Sequence, residues 1–216
     1  IIFEVYFSQA DGSSTNVALP LIAPVSSADK GYGDVRVSND LLSLFTSAND
    51  VRLSLMSTTN AGYDSQYKWF SKYPGKSTSG RRDILYNNIP VLRLSEMYLI
   101  RSEAQARGNF SYEGTTAWTD LNRIATTRGA SAYPETGSLL DAIFEENRKE
   151  FFLEGHIFFD FARFKRSIYR EDYDASNNKN ILFDQGDDQY KWAFPIMLSE
   201  MDVNKNLEQN PGYSSK

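Results

Sequence analysis

Glu146, Glu150 and Glu154 stand four residues apart in EENRKEFFLEGHIFFDFARFKR, the stretch from Glu145 to Arg166. On a helix this spacing stacks three carboxylates on one face, neighbours about 6 Å apart. A glycosidase uses two carboxylates at about that separation, one as acid and one as nucleophile or base. His156, the only histidine in the chain, precedes Asp160 by four residues, which would suit a general base and the carboxylate that orients it. The same letters support a different physics. Three acids on one face repel unless cations answer them, and Arg93, Arg101, Arg128, Arg148 and Arg163 lie in neighbouring predicted helices. A buried ion network that pins helix junctions accounts for the whole pattern and is the stronger reading. A single histidine at a helix break is more often a cap or a half-buried donor than a catalyst.

Bulk properties narrow the chemistry further. The 216 residues are 41% hydrophobic and 24% charged, enough to bury a real core. A net charge of -5 and the lack of any basic run argue against nucleic acid as a partner. The absence of cysteine excludes disulfides, thiolate metal sites and a cysteine nucleophile, and one histidine cannot build a histidine zinc site. Asp184, Asp187 and Asp188 do not follow the spacing of an EF-hand loop. No GxGxxG loop or GxSxG elbow is present. No metal and no cofactor are therefore expected. No apolar run approaches the roughly 20 residues of a membrane helix. The opening IIFEVYFS reads as a strand, without a starting Met, as in a processed chain or a fragment.

Two regions must position these groups. Residues 1–90 read as a loop-rich segment with short strands and as the candidate ligand-facing region. IIFEVYF suits one strand, SNDLLSLFTS a short helix capped by Ser38 or Asn39, and VRLSLM and YKWFSKY short extended pieces, with GKSTSGRRD a polar loop. Residues 91–216 read as helical. PVLRLSEMYLIRSEAQARG carries an apolar stripe of Leu92, Met97, Leu99, Ile100 and Ala104, stopped at Gly108. AWTDLNRIATTRG gives a second helix with Trp118, Leu121, Ile124 and Ala125 inward and Gly129 at its end. A third begins between Thr136 and Ser138 and runs to Gly155; a fourth covers FFDFARFK. The fold class is mostly α: tetratricopeptide-like helical hairpins with irregular loops and a few short strands, without a clean repeat consensus.

Aromatic residues in the loops are the better lead to function. Tyr63, Tyr67, Trp69 and Tyr73 sit in one polar segment and Tyr32 in another. Flat aromatic faces stack on the apolar faces of sugar rings while Asp, Asn and Gln reach the hydroxyls. Tyr32, Tyr63, Tyr67 and Trp69 are the candidate ligand contacts. Core packing competes, since alternate residues of an extended YKWFSKY must face inward. Trp118 and Trp192 suit the core better.

RLSEMYLIRSEAQARG, LNRIATTRGA, EENRKEFFLEGHIFFDFARFKR and FPIMLSEMDVNKNLEQNPGY, in this order and spacing, resemble the C-terminal part of the SusD/RagB family. The likeness is good over about residues 91–213; upstream it is limited to the opening strand, Asp50-Val51-Arg52 and a KY. Arg93, Glu96, Tyr98, Glu103 and Ala104 match the family's first helix, and Leu121 and Asn122 its second. Glu146, Arg148, Glu150, Glu154, Gly155, Asp160 and Arg163 match the junction, and Gln209 to Tyr213 the closing motif. Asn147 and Ile157 replace arginines usual in the family, and Ala125 and Thr127 replace basic residues. The resemblance implies a SusD-like helical fold and a structural ion network of Arg93, Glu96, Glu146, Arg148, Glu150, Glu154, Asp160 and Arg163. It implies a surface lipoprotein of the Bacteroidetes outer membrane, whose lipid anchor lies outside this chain. Such a protein captures a nutrient, usually a glycan, and delivers it to a SusC-like TonB-dependent transporter, without catalysis. A peptide- or protein-binding scaffold of the same family is the alternative, and a glycoside hydrolase using Glu146 and Glu150 the third reading.

Overall fold

The structure, a computed structural model, describes residues 1–8, 32–56, 68–78, 81–83, 87–169, 181–184, 186 and 189–214. Side-chain caps fix where most of the main helices begin. Ser38 opens α1 (Asn39–Ser43) by accepting from the Leu41 amide at 3.2 Å. α2 (Leu94–Gly108) follows directly from a strand, with Arg93 at its N-cap and no capping side chain. α3 (Ala117–Thr127) starts with a capping box in which Thr116 and Thr119 bond each other's backbone amides. Ser138 opens α4 (Leu139–Phe151) through the Asp141 amide, inside the expected window. The molecule is mostly helical with a few short strands.

Those strands form three two-stranded antiparallel ribbons. β1 (Phe3–Val5) pairs with β4 (Ile89–Leu92), β2 (Lys76–Thr78) with β3 (Arg81–Asp83), and β5 (Ile168–Tyr169) with β6 (Ile181–Phe183). The second ribbon occupies part of GKSTSGRRD, read above as loop; its sequence is polar and carries no apolar alternation to announce a strand. VRLSLM is likewise not extended but a 3-10 helix, Val51–Met56. The reason is local. Asp50 Oδ1 accepts from the Arg52 amide at 3.0 Å and the Asp50 carbonyl from Leu53 at 3.1 Å, so the residue before the segment starts a helical turn.

The chain divides into two compact units, Ile1–Glu154 and Gly155–Lys216, so α2, α3 and α4 share a unit with residues 1–90. In the larger unit α2 packs on α3 and α4. Leu99, Leu121, Ile124, Ala125, Ile143, Phe144 and Phe151 are buried there, and a neighbouring cluster joins Val37, Leu41, Met56, Phe70 and Phe152. The expected stripe of α2 is corrected: of its five residues only Leu99 is buried, and Met97, Ile100, Ala104 and Leu92 are exposed. The buried face is instead Ser95, Leu99, Ser102, Glu103 and Gln105. Small and polar groups let α2 approach α3 closely, with Ser102 Oγ donating to the Ala117 carbonyl at 2.7 Å and Gln105 Nε2 to Thr115 O at 3.1 Å.

The smaller unit holds α5 (Ile157–Arg163), the β5–β6 ribbon, a 3-10 turn at Gln189–Trp192 and α6 (Leu198–Val203). Its closing residues act as a brace. Gln209 accepts from the Ile196 amide at 2.8 Å and donates to the Ile196 carbonyl at 2.9 Å. Asn210 Nδ2 donates to Phe194 O at 2.7 Å and the Tyr213 hydroxyl to Ala193 O at 2.9 Å. Four side-chain bonds thus hold the turn from Ala193 to Ile196.

The C-terminal end of α3 docks on residues 47–51 through Val51 N to Arg128 O, 2.9 Å, and Ser47 Oγ to Gly129 O, 3.1 Å. Gly129 sits at φ +82°, and a Cβ there would lie 2.3 Å from the Asn49 carbonyl oxygen. Gly137 has the same φ of +82° with open space around it. Gly137→Ala should therefore cost about 1 kcal/mol, the left-handed penalty alone, and Gly129→Ala about 2–4 kcal/mol, because backbone must move. Urea midpoints of the two variants measure the difference; equal values would show that α3 does not dock as described.

Candidate functional site

The acidic face of α4 is real, and every one of its carboxylates is engaged. Arg52 donates from Nε and Nη2 to Asp50 at 2.9 and 2.7 Å, and from Nη1 to Glu146 at 2.7 Å and Glu150 at 3.1 Å. Arg128 forks onto Glu150 at 3.0 and 2.6 Å. Arg93 reaches Glu150 Oε1 and the Glu150 carbonyl, both at 2.9 Å, and both oxygens of Glu154 at 2.9 Å. Lys72 pairs with Glu154 and donates to the carbonyls of Phe152 at 2.8 Å and Glu150 at 3.2 Å. Glu146 Oε2 is met by Lys149 Nζ at 2.8 Å and by the Tyr133 hydroxyl, donating at 3.1 Å. Glu146 is 0% exposed and Glu150 3%. Four acids thus meet five cations with no carboxylate face open to solvent.

Other pairs involve further members assigned to this network. Arg148 pairs with Asp40 at the start of α1. Asp160 and Arg163 pair with each other within α5, at 2.7 Å, and are part of the smaller unit. Glu96 is half-buried in the first turn of α2. Arg101 forks onto Asp120 at 2.6 and 2.7 Å, joining α2 to α3. Sequence reasoning missed Asp50, Arg52, Lys72, Lys149 and Tyr133 as members. The only signal for the first two was the Asp-Val-Arg spacing itself. His156 stands at the N-cap of α5 without a capping side-chain bond. Among the described residues no group of three or more His, Asp or Glu could hold a metal ion.

Electrostatics follow from this wiring. Burial alone pushes the Glu150 carboxyl upward; the hydrogen bond and charge of Arg128, with the charges of Arg93 and Arg52, outweigh it and hold the group at about 2. Burial lowers Lys72, against the pull of Glu154. Burial raises Tyr133, reinforced by the charge of Glu146. A hydrolytic acid must keep its proton near neutral pH; Glu150 is held in the opposite direction. The arrangement is a clamp.

Since the folded carboxyl titrates below the unfolded one, its contribution is complete above about pH 4.5 and is lost as pH falls towards about 2. Glu150→Gln should lower stability by about 3–5 kcal/mol at neutral pH, because three arginines lose their shared partner. It should also flatten the acid limb of the stability–pH curve. Chemical denaturation across that range checks both; an unchanged acid limb would mean that another carboxylate governs it.

The aromatic candidates separate clearly. Tyr32 is 63% exposed. Tyr63 and Tyr67 lie outside the described residues. Trp69, assigned above as a ligand contact, is corrected: it is 2% exposed, its indole N–H donating to the Gly33 carbonyl at 2.9 Å. The strip around it is covered on both sides, so alternation does not free one face: Phe70 is buried too, stacked on Phe152 at 5.6 Å. Tyr73 is half-buried; its hydroxyl donates to Leu153 O at 3.0 Å, and burial, helped by Glu154, pushes the phenol up to about 12.

Comparison with known proteins agrees with this scaffold. The sequence model of the SusD family matches residues 53–213. Starch-binding protein SusD of Bacteroides thetaiotaomicron is 28% identical over 188 residues, covering 85% of this chain and 29% of its own length. The crystal structure of a SusD superfamily protein from the same species superposes with a TM-score of 0.77 at 30% identity, over 97% of this chain and 48% of the other. A laminarin-binding SusD-like protein shares the fold, with a TM-score of 0.61 at 20% identity over 98% of this chain and 50% of the other. This chain spans about half the length of these solved relatives, and less of the starch-binding one. With most of its length matched by the family's own pattern, the chain belongs to the SusD family.

Proposed function

We propose that this chain binds a glycan without transforming it, as part of a nutrient-capture lipoprotein at the outer-membrane surface that hands its ligand to a SusC-like TonB-dependent transporter. The observation that carries the reading is the state of the acidic face. The carboxylates best placed for hydrolysis are buried and ion-paired to arginine and lysine, whereas Tyr32 offers an aromatic face to solvent. Relatives named for starch and laminarin binding support a sugar as the ligand class. Stacking on a preformed aromatic ring gives modest affinity, because sugar hydroxyls exchange water for protein partners at little net gain.

A second reading has its own observation. Leu94, Met97 and Ile100 leave an apolar stripe of α2 exposed, the kind of helical surface on which a peptide could lie. Titration calorimetry with maltoheptaose and with a laminarin-derived oligosaccharide, beside an amphipathic helical peptide, separates the two. Glycan binding with a Kd of about 10 μM to 1 mM is expected, weakened about tenfold or more by Tyr32→Ala with the melting temperature unchanged. Peptide binding lost in Met97→Ser with no response to sugar would select the scaffold. Polysaccharide cleavage abolished by a folded Glu150→Gln protein would overturn the non-catalytic reading altogether.

A further inference from the structure

We infer that Trp69 is a positioning residue for Tyr32, a role distinct from ligand contact. The inference rests on the glycan-binding reading above. A side-chain hydrogen bond and a short antiparallel pairing join the segment that carries Tyr32 to the strip that carries Trp69. The Trp69 indole donates to the carbonyl of Gly33, the residue after Tyr32, at 2.9 Å. Arg36 and Trp69 form an antiparallel bridge, and the Val37 amide donates to Lys68 O at 2.8 Å. Gly33 itself sits at φ +68°, a left-handed conformation that glycine adopts readily and that fixes the path of the chain beside the tyrosine. The tyrosine side chain is exposed, so packing alone does not set its direction; the backbone beneath it must.

The strip is in turn fastened to the larger unit. Ser71 N donates to Leu55 O at 2.8 Å. Lys72 takes the carbonyls of Glu150 and Phe152 and pairs with Glu154, and Tyr73 takes the carbonyl of Leu153. A continuous path therefore runs from the C-terminal end of α4, through residues 71–73 and Trp69, to the turn under Tyr32. Its links are hydrogen bonds and an ion pair between described atoms, joined by the covalent chain from Trp69 to Tyr73. An aromatic ring held in place before the ligand arrives forfeits less freedom on binding, so the indole N–H contributes to affinity without touching sugar. Its partner is one carbonyl, and the effect has the size of one hydrogen bond.

Trp69→Phe removes the N–H and keeps a planar apolar ring. Binding of maltoheptaose and of the laminarin-derived oligosaccharide is measured for the parent chain, Trp69→Phe, Tyr32→Ala and the double variant. Trp69→Phe should weaken binding about three- to tenfold, and this loss should vanish in the Tyr32→Ala background, because the tryptophan acts through the tyrosine. In parallel, hydrogen exchange should quicken at the amides of residues 33–37 in Trp69→Phe while α2, α3 and α4 keep their protection. An equal loss in both backgrounds, or unchanged affinity, overturns the inference while leaving glycan binding intact. Faster exchange spread over the helices overturns it as well, since the effect would then be general destabilisation. A parent chain that binds neither sugar refutes the function proposed above; local exchange at 33–37 then still decides whether Trp69 positions the turn.

Discussion

Glu150 is ionised in a place where water does not reach, and the architecture of the larger unit depends on keeping it so. Moving a carboxylate out of water costs several kcal/mol. Here the cost is offset by arginines from three separate segments: Arg52 in the first turn of the 3-10 helix, Arg93 at the start of α2 and Arg128 at the end of α3. One side chain on α4 therefore ties down one end of each neighbouring helix. Apolar residues of similar volume could fill the same space with comparable stability, but they would not dictate which helix end meets which. The forked guanidinium geometry does, because each arginine must present two donors in a fixed plane. The ion cluster is best understood as the device that sets helix register.

The same cluster finishes α4. Its C-cap residue Phe152 has φ -56° and ψ 139°, outside the helical range, so the last carbonyls need partners from elsewhere. Lys72 and Arg93 supply them for residues 150 and 152, and Tyr73 for residue 153. Cations at a helix C-terminus also meet the negative end of its dipole. The helix end and the strip at residues 68–73 consequently stabilise each other, and burial of Lys72 follows from that union. If Tyr32 meets the ligand as proposed, its support leans on a charge arrangement far from it in the sequence.

Helix starts were legible because their causes are local: Ser38, Thr116 and Ser138 each cap within three residues. The acidic face was legible as a network, since a four-residue spacing with arginines nearby has few other stable outcomes. Its partners were only partly so. Arg148 stands two residues from Glu146 and Glu150, hence on another face of α4, and it pairs with Asp40; the helical spacing itself argued against its membership. Asp160 and Arg163 are three apart and satisfy one another within α5. Arg52 and Lys72 come from segments without helical periodicity and far away in sequence; the Asp-Val-Arg spacing hints at the first and nothing local marks the second. The buried face of α2 escaped detection because it is built from serines, a glutamine and a glutamate, residues that periodicity counts as outward.

Trp69 shows why the binding residues resist the same treatment. An aromatic in a polar segment can be a ligand platform or a buried strut, and composition is identical in both cases. Burial decides it, and the partners here, Gly33 for Trp69 and Phe152 for Phe70, lie far from the segment in sequence. Within the range that the family pattern matches, Glu146, Glu150, Glu154 and Arg93 fix helix register, and Gln209, Asn210 and Tyr213 brace the turn at residues 193–196. None of these tasks is recognition. Tyr32 falls outside the residues 53–213 that the family pattern matches. Tyr32 is exposed and takes no part in these ion pairs, so, on the function proposed above, the residue that meets the ligand can change without cost to the fold.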